Sequence, residues 1–549
     1  MTDATMMDFP LTTQMIFRRG ARLFPESTVA TFDGTALPPM SFAEIADRAA
    51  RLASALRGLG LDPGDRVGTL CWNSNVHLEA YLAVPAAGYV LHTLNLRLHA
   101  AQIGWIARHA DDRVILVDSD RLEQLAAFAA DVPSLRHVLI TDGPVDGLAF
   151  GERVTVHSLP ELLARNAPMT DWPDLDERSA AAICYTSGTT GDPKGVVYSH
   201  RSIFLHSLAS MGSDAFGVCN ADRVLMMPPM FHANAWGLPF SCWFAGADMI
   251  MPSRFLQPEP LASMIHAARP TLTMTVPTIL NDLLRGHASQ PIDLSSFRVI
   301  VAGGSAVSQT LIERAHEVWG LDVLQGWGMT ETSPMCVLSH PPRGASAADA
   351  AKWRAKSGRP VAGVEVRLVD DAGADVAQDG AAVGRLQVRG PWITAGYHAL
   401  APLAEADGWF DTGDVGTIDP LGYVQITDRT KDLIKSGGEW ISSVELENAI
   451  GALAGVVEVA VVAVSDPRWE ERPLAVITWD CADEPDYAFL RGQMRDQMAK
   501  FMIPDYWARL AELPKTSVGK IDKKRLRERV AAGELSIVRE LTLAGSSLS

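Results

Sequence analysis

Helix-period segments alternate with short apolar runs through most of this chain, and that alternation restricts the fold more than any other feature. Phe42–Leu59 has the spacing of an amphipathic helix and Arg66–Cys71 that of a strand; Gln102–Ala110 and Val114–Val117 repeat the pair. Val224–Met227, Thr271–Val276 and Val299–Ala302 have the composition of strands buried on both faces, with the helical stretches Leu261–Ala268 and Thr310–Val318 between them. An α/β architecture with largely parallel sheets is expected.

From about Val361 the texture changes. Val364–Leu368 and Gly384–Val388 alternate apolar and polar residues between Asp/Gly turns, which predicts a small β-rich subdomain. After the charged segment Asp428–Lys435 come a helix start at Ser442–Ile450, strands at Val456–Val464 and Pro473–Trp479, and a helix over Tyr487–Lys500. This reads as a compact α+β domain of ~110 residues. A chain of 549 residues exceeds a single core, so a large N-terminal domain over 1–430 and a small C-terminal domain over 431–549 are expected.

A formal charge of −17 excludes the broad basic surface that nucleic acid requires, while leaving room for a local basic loop that binds a few phosphates. The six cysteines have no CxxC spacing and read as reduced core thiols. No apolar run reaches the ~18 residues of a membrane span, and the N-terminus lacks a signal-peptide pattern. A cytoplasmic location is expected.

The segment Tyr185-Thr-Ser-Gly-Thr-Thr-Gly-Asp-Pro-Lys-Gly195 carries the strongest chemical signal. It follows the strand-like Ala180–Tyr185 and precedes the apolar Val196–Tyr198. Its glycines permit close backbone approach, so that N–H groups can converge on an anion. Thr186, Ser187, Thr189 and Thr190 add hydroxyl donors, and Lys194 adds charge. A Walker A loop is excluded, because that motif places Gly-Lys-Ser/Thr at the start of a helix, whereas here Pro193 precedes the lysine.

Four further segments have chemistry that complements this loop. Gly326-Trp-Gly-Met-Thr-Glu331-Thr reads as a glycine-flanked turn after Val323–Leu324, with a hydroxyl for a phosphate and a hard carboxylate oxygen for Mg²⁺. Trp409-Phe-Asp411-Thr-Gly-Asp414 reads as a turn whose second carboxylate suits a vicinal diol. Asp428-Arg-Thr-Lys-Asp432-Leu-Ile-Lys435-Ser-Gly-Gly438 has the charge of a solvated linker. Pro514-Lys-Thr-Ser-Val-Gly-Lys520 puts a lysine behind a glycine turn.

In this order, from about Phe24 to Val530, the five segments closely resemble the adenylate-forming (ANL) superfamily of acyl-CoA synthetases, luciferases and nonribosomal adenylation domains. Phe231-His-Ala-Asn-Ala-Trp-Gly237, Lys356-Ser-Gly-Arg-Pro360 and Ile434-Lys-Ser-Gly-Gly-Glu-Trp-Ile-Ser442 are similar to bacterial medium- and long-chain fatty-acyl-CoA ligases, with methylthiopropionate-CoA ligases equally compatible.

The resemblance implies that the acid attacks the α-phosphorus of ATP and that the CoA thiol then displaces AMP. It places Thr186, Ser187, Gly188, Thr189, Thr190 and Lys194 on the phosphates, with Thr186 and Glu331 holding Mg²⁺ and Thr330 on the α-phosphate. It lines the nucleotide with Gly303, Gly304, Ser305 and Ala306, then Gln325, Gly326, Trp327 and Ile426, and puts Asp414 and Arg429 on the ribose. Lys520 becomes the cation between carboxylate and α-phosphate, Lys431 the hinge, and Lys435, Gly437 and Gly438 the thioester-forming face. His232, Trp236, Gly328 and Met329 fall at the acyl pocket, with His232 beside the carboxylate and Trp236 at a gate. His232 and Trp236 share a face if their segment turns helically, and the glycines at 303, 304, 326 and 328 would leave room for an alkyl chain. Amino-acid-activating relatives carry Asp where His232 stands, so an amino-acid substrate is disfavoured. An acyl-AMP ligase that loads a carrier protein, a luciferase-type oxygenase and a catalytically silent nucleotide-binding protein are the competing readings, and a homodimer is one assembly open to the chain.

Overall fold

The computed structural model describes residues 5–186, 192–401, 407–429, 431–436, 439–480, 483–495, 498–516 and 519–540. Ser187, Gly188, Thr189, Thr190, Gly437 and Gly438 lie outside them, as does Cys481. Packing divides the chain into two compact units, Met1–Glu365 with Val388–Phe410, and Val366–Gln387 with Asp411–Ser549. The packing boundary lies elsewhere than the 430/431 boundary read from the motifs: the strand Val424–Arg429, with Phe410–Ile418 paired to it, is tied to the C-terminal elements through the Asp428 side chain.

The first unit contains two large sheets. In the seven-stranded sheet, the strands Arg66–Leu70, Val90–Thr93, Asp112–Val117, His137–Ile140, Thr155–Ser158 and Ala180–Tyr185 run parallel. The edge strand Gly195–Ser199 reverses direction and pairs antiparallel with Ala180–Tyr185. The nine-stranded sheet has a parallel core that includes Leu272–Thr275, Val299–Gly303 and Val323–Gly328. Its inner strands are buried almost throughout, which explains why they read as continuous apolar runs. The helices obey the same logic. Phe42–Gly58 begins at a capping box, with Ser41 Oγ accepting from Glu44 N at 3.2 Å, and buries Phe42, Ile45, Ala49, Leu52 and Leu56 along one stripe.

The second unit carries a four-stranded sheet, Glu365–Val369, Gly384–Arg389, Phe410–Ile418 and Val424–Arg429, and a six-stranded sheet around the hairpin Val456–Asp466 and Glu470–Trp479. That hairpin alternates strictly. Val459, Val461, Ala475 and Ile477 pack on Leu446 and Ile450, while Ala460, Val462, Leu474 and Val476 pack on Leu513 and Leu526. A one-residue slip would exchange the two cores, so the register is firmly set.

Several local expectations give way. Gly326–Gly328 is the end of a strand rather than a turn, and the first turn after it is the short 3₁₀ segment Thr330–Thr332. Asp411–Asp414 likewise lies within a strand, with local bonds from Gly413 N to Asp411 Oδ1 at 3.0 Å and from Asp414 N to Thr412 Oγ1 at 3.1 Å. The helix expected over Tyr487–Lys500 stops at Gln493, next to Gly492, whose backbone freedom weakens a helix end. Asp428 is no solvated linker residue: it is 2% exposed.

Candidate functional site

The segment expected to bind phosphate connects two antiparallel strands, with Tyr185 and Gly195 as register partners. Its mouth is closed by two bonds: Thr186 N donates to Lys194 O at 2.9 Å, and Lys194 N donates to Thr186 Oγ1 at 3.2 Å. The strands therefore fix both ends of the loop, and Lys194 stands exposed at its exit.

The Thr-Glu turn is held from both sides. Tyr198 Oη, on the edge strand, donates to Thr330 O at 2.7 Å, and Thr394 N donates to Glu331 O at 2.8 Å. Glu331 is only 6% exposed, and its Oε1 accepts from Tyr397 Oη at 2.7 Å. The ammonium of Lys194 sits over the Tyr397 ring, 4.9 Å from its centre. Sequence reasoning missed Tyr397. It stands in an unremarked Ala-Gly-Tyr-His stretch, and no pattern there announces a partner 66 residues away.

The donor set fits magnesium. Thr186 and Glu331 offer only hard oxygens, and Mg²⁺ usually takes one or two carboxylates and completes its shell with water and substrate phosphate. Among the described residues no group of three or more His, Cys, Asp or Glu could cage a metal alone.

The segment after Phe231 departs from expectation. It does not turn as a right-handed helix, because Ala233, Asn234, Ala235, Trp236 and Gly237 all have positive φ, between 43° and 78°. Each non-glycine residue there costs roughly 1–2 kcal/mol, so the surroundings must impose the conformation. Asn234 is buried and its Oδ1 accepts from Cys184 Sγ at 3.0 Å and from Tyr81 Oη at 3.3 Å, which ties this turn to the strand that leads into the phosphate loop. The face-sharing argument for His232 and Trp236 therefore lapses. Trp236 instead lies against Gly303: a Cβ there would stand 3.3 Å from the indole and 2.7 Å from Gly326 O.

The room expected at the glycines is mostly taken by the protein itself. A Cβ on Gly326 would meet Leu338 and Val301, and one on Gly328 would fall 1.6 Å from Pro334 O. Gly304 has a φ of +82° and serves the bend after Val299–Gly303. Gln325 is buried and its Oε1 accepts from Val307 N at 2.7 Å, anchoring the far side of the Gly304–Ala306 bend. Trp327 and Met329 are half-buried on either side of Gly328.

In the second unit Asp414 and Arg429 are register partners on adjacent antiparallel strands, with Ile426 half-buried in the same strand as Arg429. Arg429 Nε lies 2.9 Å from Asp414 Oδ1. Lys520 closes a tight turn, with Thr516 N donating to Lys520 O at 2.6 Å and Lys520 N to Thr516 Oγ1 at 3.2 Å. Burial pushes its ammonium down to about 8; Arg429 pushes the same way and Asp414 opposes. Arg429, Asp414 and Lys520 thus form one electrostatic group.

A buried network fixes the elements on either side. Asp428 accepts from Ser443 N and Oγ, both at 2.6 Å, while Lys523 Nζ donates to Ser443 Oγ at 2.6 Å and pairs with Glu447 Oε1 at 2.7 Å. Lys523 begins the helix that follows Lys520, so these contacts tie that helix to the end of the strand bearing Arg429. Lys431 follows this strand at an exposed turn, and Lys435 is exposed on the short strand Ile434–Ser436, its N–H donating to Glu471 Oε2 at 2.9 Å.

The five cysteines among the described residues are free. No helix of the described residues is long and apolar enough to cross a membrane.

Known proteins match nearly the whole chain. The AMP-binding enzyme family matches residues 17–398, and the AMP-binding enzyme C-terminal domain matches residues 445–520. The chain is 41% identical to a 3-methylmercaptopropionyl-CoA ligase of Ruegeria lacuscaerulensis, over 95% of this chain and 98% of that one. It is also 41% identical to a long-chain-fatty-acid–CoA ligase of Thermus thermophilus, over 96% of each chain. The crystal structure of an anthranilate CoA ligase in complex with anthranoyl-AMP superimposes with a TM-score of 0.86 at 26% identity, covering 96% of this chain and 99% of that one.

Proposed function

This chain belongs to the AMP-binding enzyme family and is an ATP-dependent, AMP-forming acid–CoA ligase, and we propose that its acid is a medium- or long-chain fatty acid or a related alkyl acid. The observation that carries the reading is the aromatic wall that Trp236 builds against Gly303 at the carboxyl ends of the parallel strands, where α/β sheets bind ligands. His232 supports it, since an imidazole cannot replace the carboxylate that an amino-acid ammonium requires.

Both half-reactions move charge without a protein nucleophile, so positioning and electrostatics supply the catalysis. The backbone and hydroxyls of Thr186 to Thr190, with Lys194, would hold the β- and γ-phosphates, and Thr330 the α-phosphate. Thr186 and Glu331 would hold Mg²⁺, which when bound neutralises phosphate charge. Gly303 to Ala306, Gln325 to Trp327 and Ile426 would line the base, and Asp414 with Arg429 the ribose. Lys520 would neutralise the carboxylate and α-phosphate as they approach, while Gly328, Met329, His232 and Trp236 would border the acid. Lys431 would act as the hinge between half-reactions, with the functional boundary at 430/431, and Lys435, Gly437 and Gly438 would serve thioester formation.

A second reading is 3-methylmercaptopropionate as the acid, favoured by the 41% identity to a ligase of that name. AMP release measured across short, medium, long, aryl and methylthio acids, with CoA and magnesium, separates the two. A kcat/KM maximum at the methylthio acid would replace the fatty-acid reading. Loading of a carrier protein with no thioester formed on free CoA would overturn the acceptor.

A further inference from the structure

Two parts of the proposed ATP site, the phosphate hairpin and the Thr-Glu turn, are joined by a segment to which no role has been given. Thr394–His398 touches both. Thr394 N donates to Glu331 O at 2.8 Å, and His398 N donates to Gly195 O, at the base of the hairpin, at 2.7 Å. A local turn stiffens the stretch between, with Thr394 Oγ1 donating to Gly396 O at 2.6 Å. Tyr397 projects from this bridge and makes the side-chain version of the same link, its hydroxyl on Glu331 Oε1 at 2.7 Å and its ring beneath Lys194 at 4.9 Å.

We propose that Tyr397 is a positioning residue for the adenylation step: its hydroxyl sets the orientation of the Glu331 carboxylate toward the metal, and its ring seats Lys194 beside it. The inference rests on the assignment of Glu331 to Mg²⁺ made above. The physical reason is the freedom of a carboxylate. A glutamate has three side-chain torsions, and a lone hard ligand can swing away from an ion that already keeps most of its water. One hydrogen bond to Oε1 removes that freedom and leaves Oε2 for the cation. Outer partners of this kind typically change metal affinity about 10–100-fold when removed. The ring serves a second purpose. An exposed lysine loses rotamer freedom when it grips a phosphate, and a cation already resting on an aromatic face has surrendered part of it.

Tyr397→Phe removes the hydroxyl and keeps the ring, and Tyr397→Leu removes both. The probe is an α,β-methylene analogue of ATP, titrated by calorimetry at a series of Mn²⁺ concentrations, with AMP as the metal-independent control. Tyr397→Phe is expected to raise the Mn²⁺ concentration for half-maximal analogue affinity about tenfold, with AMP binding unchanged. Tyr397→Leu should shift it at least as far. The Mg²⁺ dependence of ATP–pyrophosphate exchange should move in parallel. Wild-type Mn²⁺ dependence in either variant overturns the proposal, as does an equal loss of AMP and analogue binding, which would mark a merely structural residue. Wild-type protein whose analogue binding ignores Mn²⁺ would instead refute the assignment of Glu331 itself.

Discussion

Arg429 Nε lies 2.9 Å from Asp414 Oδ1, and the two residues face each other as register partners across adjacent antiparallel strands. Asp414 is buried, its side chain 3% exposed, while that of Arg429 is 45% exposed. The arginine thus orients a desolvated carboxylate, which the proposed function puts on the ribose hydroxyls. Asp414→Asn should weaken ATP and AMP binding about tenfold, the loss of a charge-assisted hydrogen bond. It should also abolish discrimination against 2′,3′-dideoxy-ATP. Wild-type discrimination in the variant would remove Asp414 from the ribose.

In its proposed role, Lys520 should make adenylation sensitive to pH in a definite direction. Burial first, and Arg429 second, push its ammonium from the ordinary lysine value of 10.5 down to about 8, with Asp414 opposing. The charged form, which the proposed role needs, is therefore present below about 8 and is lost as pH rises through it. Single-turnover adenylation should fall above this value. Lys520→Arg should flatten the limb, since a guanidinium stays charged, and Asp414→Asn should move it to lower pH by removing the opposing carboxylate. Lys520→Ala should cost about 10²–10³-fold in ATP–pyrophosphate exchange, and an unchanged exchange rate would exclude the lysine.

Lys431 tests the hinge. Proline there locks φ near −65°, so a φ/ψ rotation at this residue is forbidden. Lys431→Pro should leave acyl-adenylate formation within about threefold and slow thioester formation more than tenfold, each measured in single turnover. Equal losses in both steps would place the hinge elsewhere.

Gly328 separates packing from substrate room. A methyl group at this position would collide with the Pro334 carbonyl oxygen, 1.6 Å from the site of its Cβ, and backbone cannot step aside as a side chain does. Gly328→Ala should destabilise the protein by about 3 kcal/mol, read from the denaturant midpoint. A fully stable variant with an altered acyl-chain preference would restore the glycine to the pocket.

The parts of the site that were legible in sequence are those whose chemistry is local. A run of Thr, Ser, Gly and Lys between two apolar strands reads as an anion loop, and the structure bonds Thr186 to Lys194 at the ends of that run. Parallel strands were legible for a similar reason, since burial on both faces leaves no polar alternation. Tyr397, Asn234, Lys523 and Glu447 were not legible, because each acts on a residue distant in the chain and carries no local signature.

The sequence by itself determined an α/β chain, and it supplied the Thr/Ser/Gly/Lys segment, Glu331 and Lys520 on which the proposed site is built, because periodicity, turn chemistry and charge are properties of neighbours. Only the tertiary structure decided that Gly326–Gly328 and Asp411–Asp414 are strand, that the Trp236 turn is left-handed, and that Glu331 is held by Tyr397. Those outcomes depend on which backbones meet. Pairing with a neighbouring strand overrides the turn tendency of glycine and aspartate, and a buried Asn234 bonded to Cys184 and Tyr81 forces a backbone that no local preference would choose.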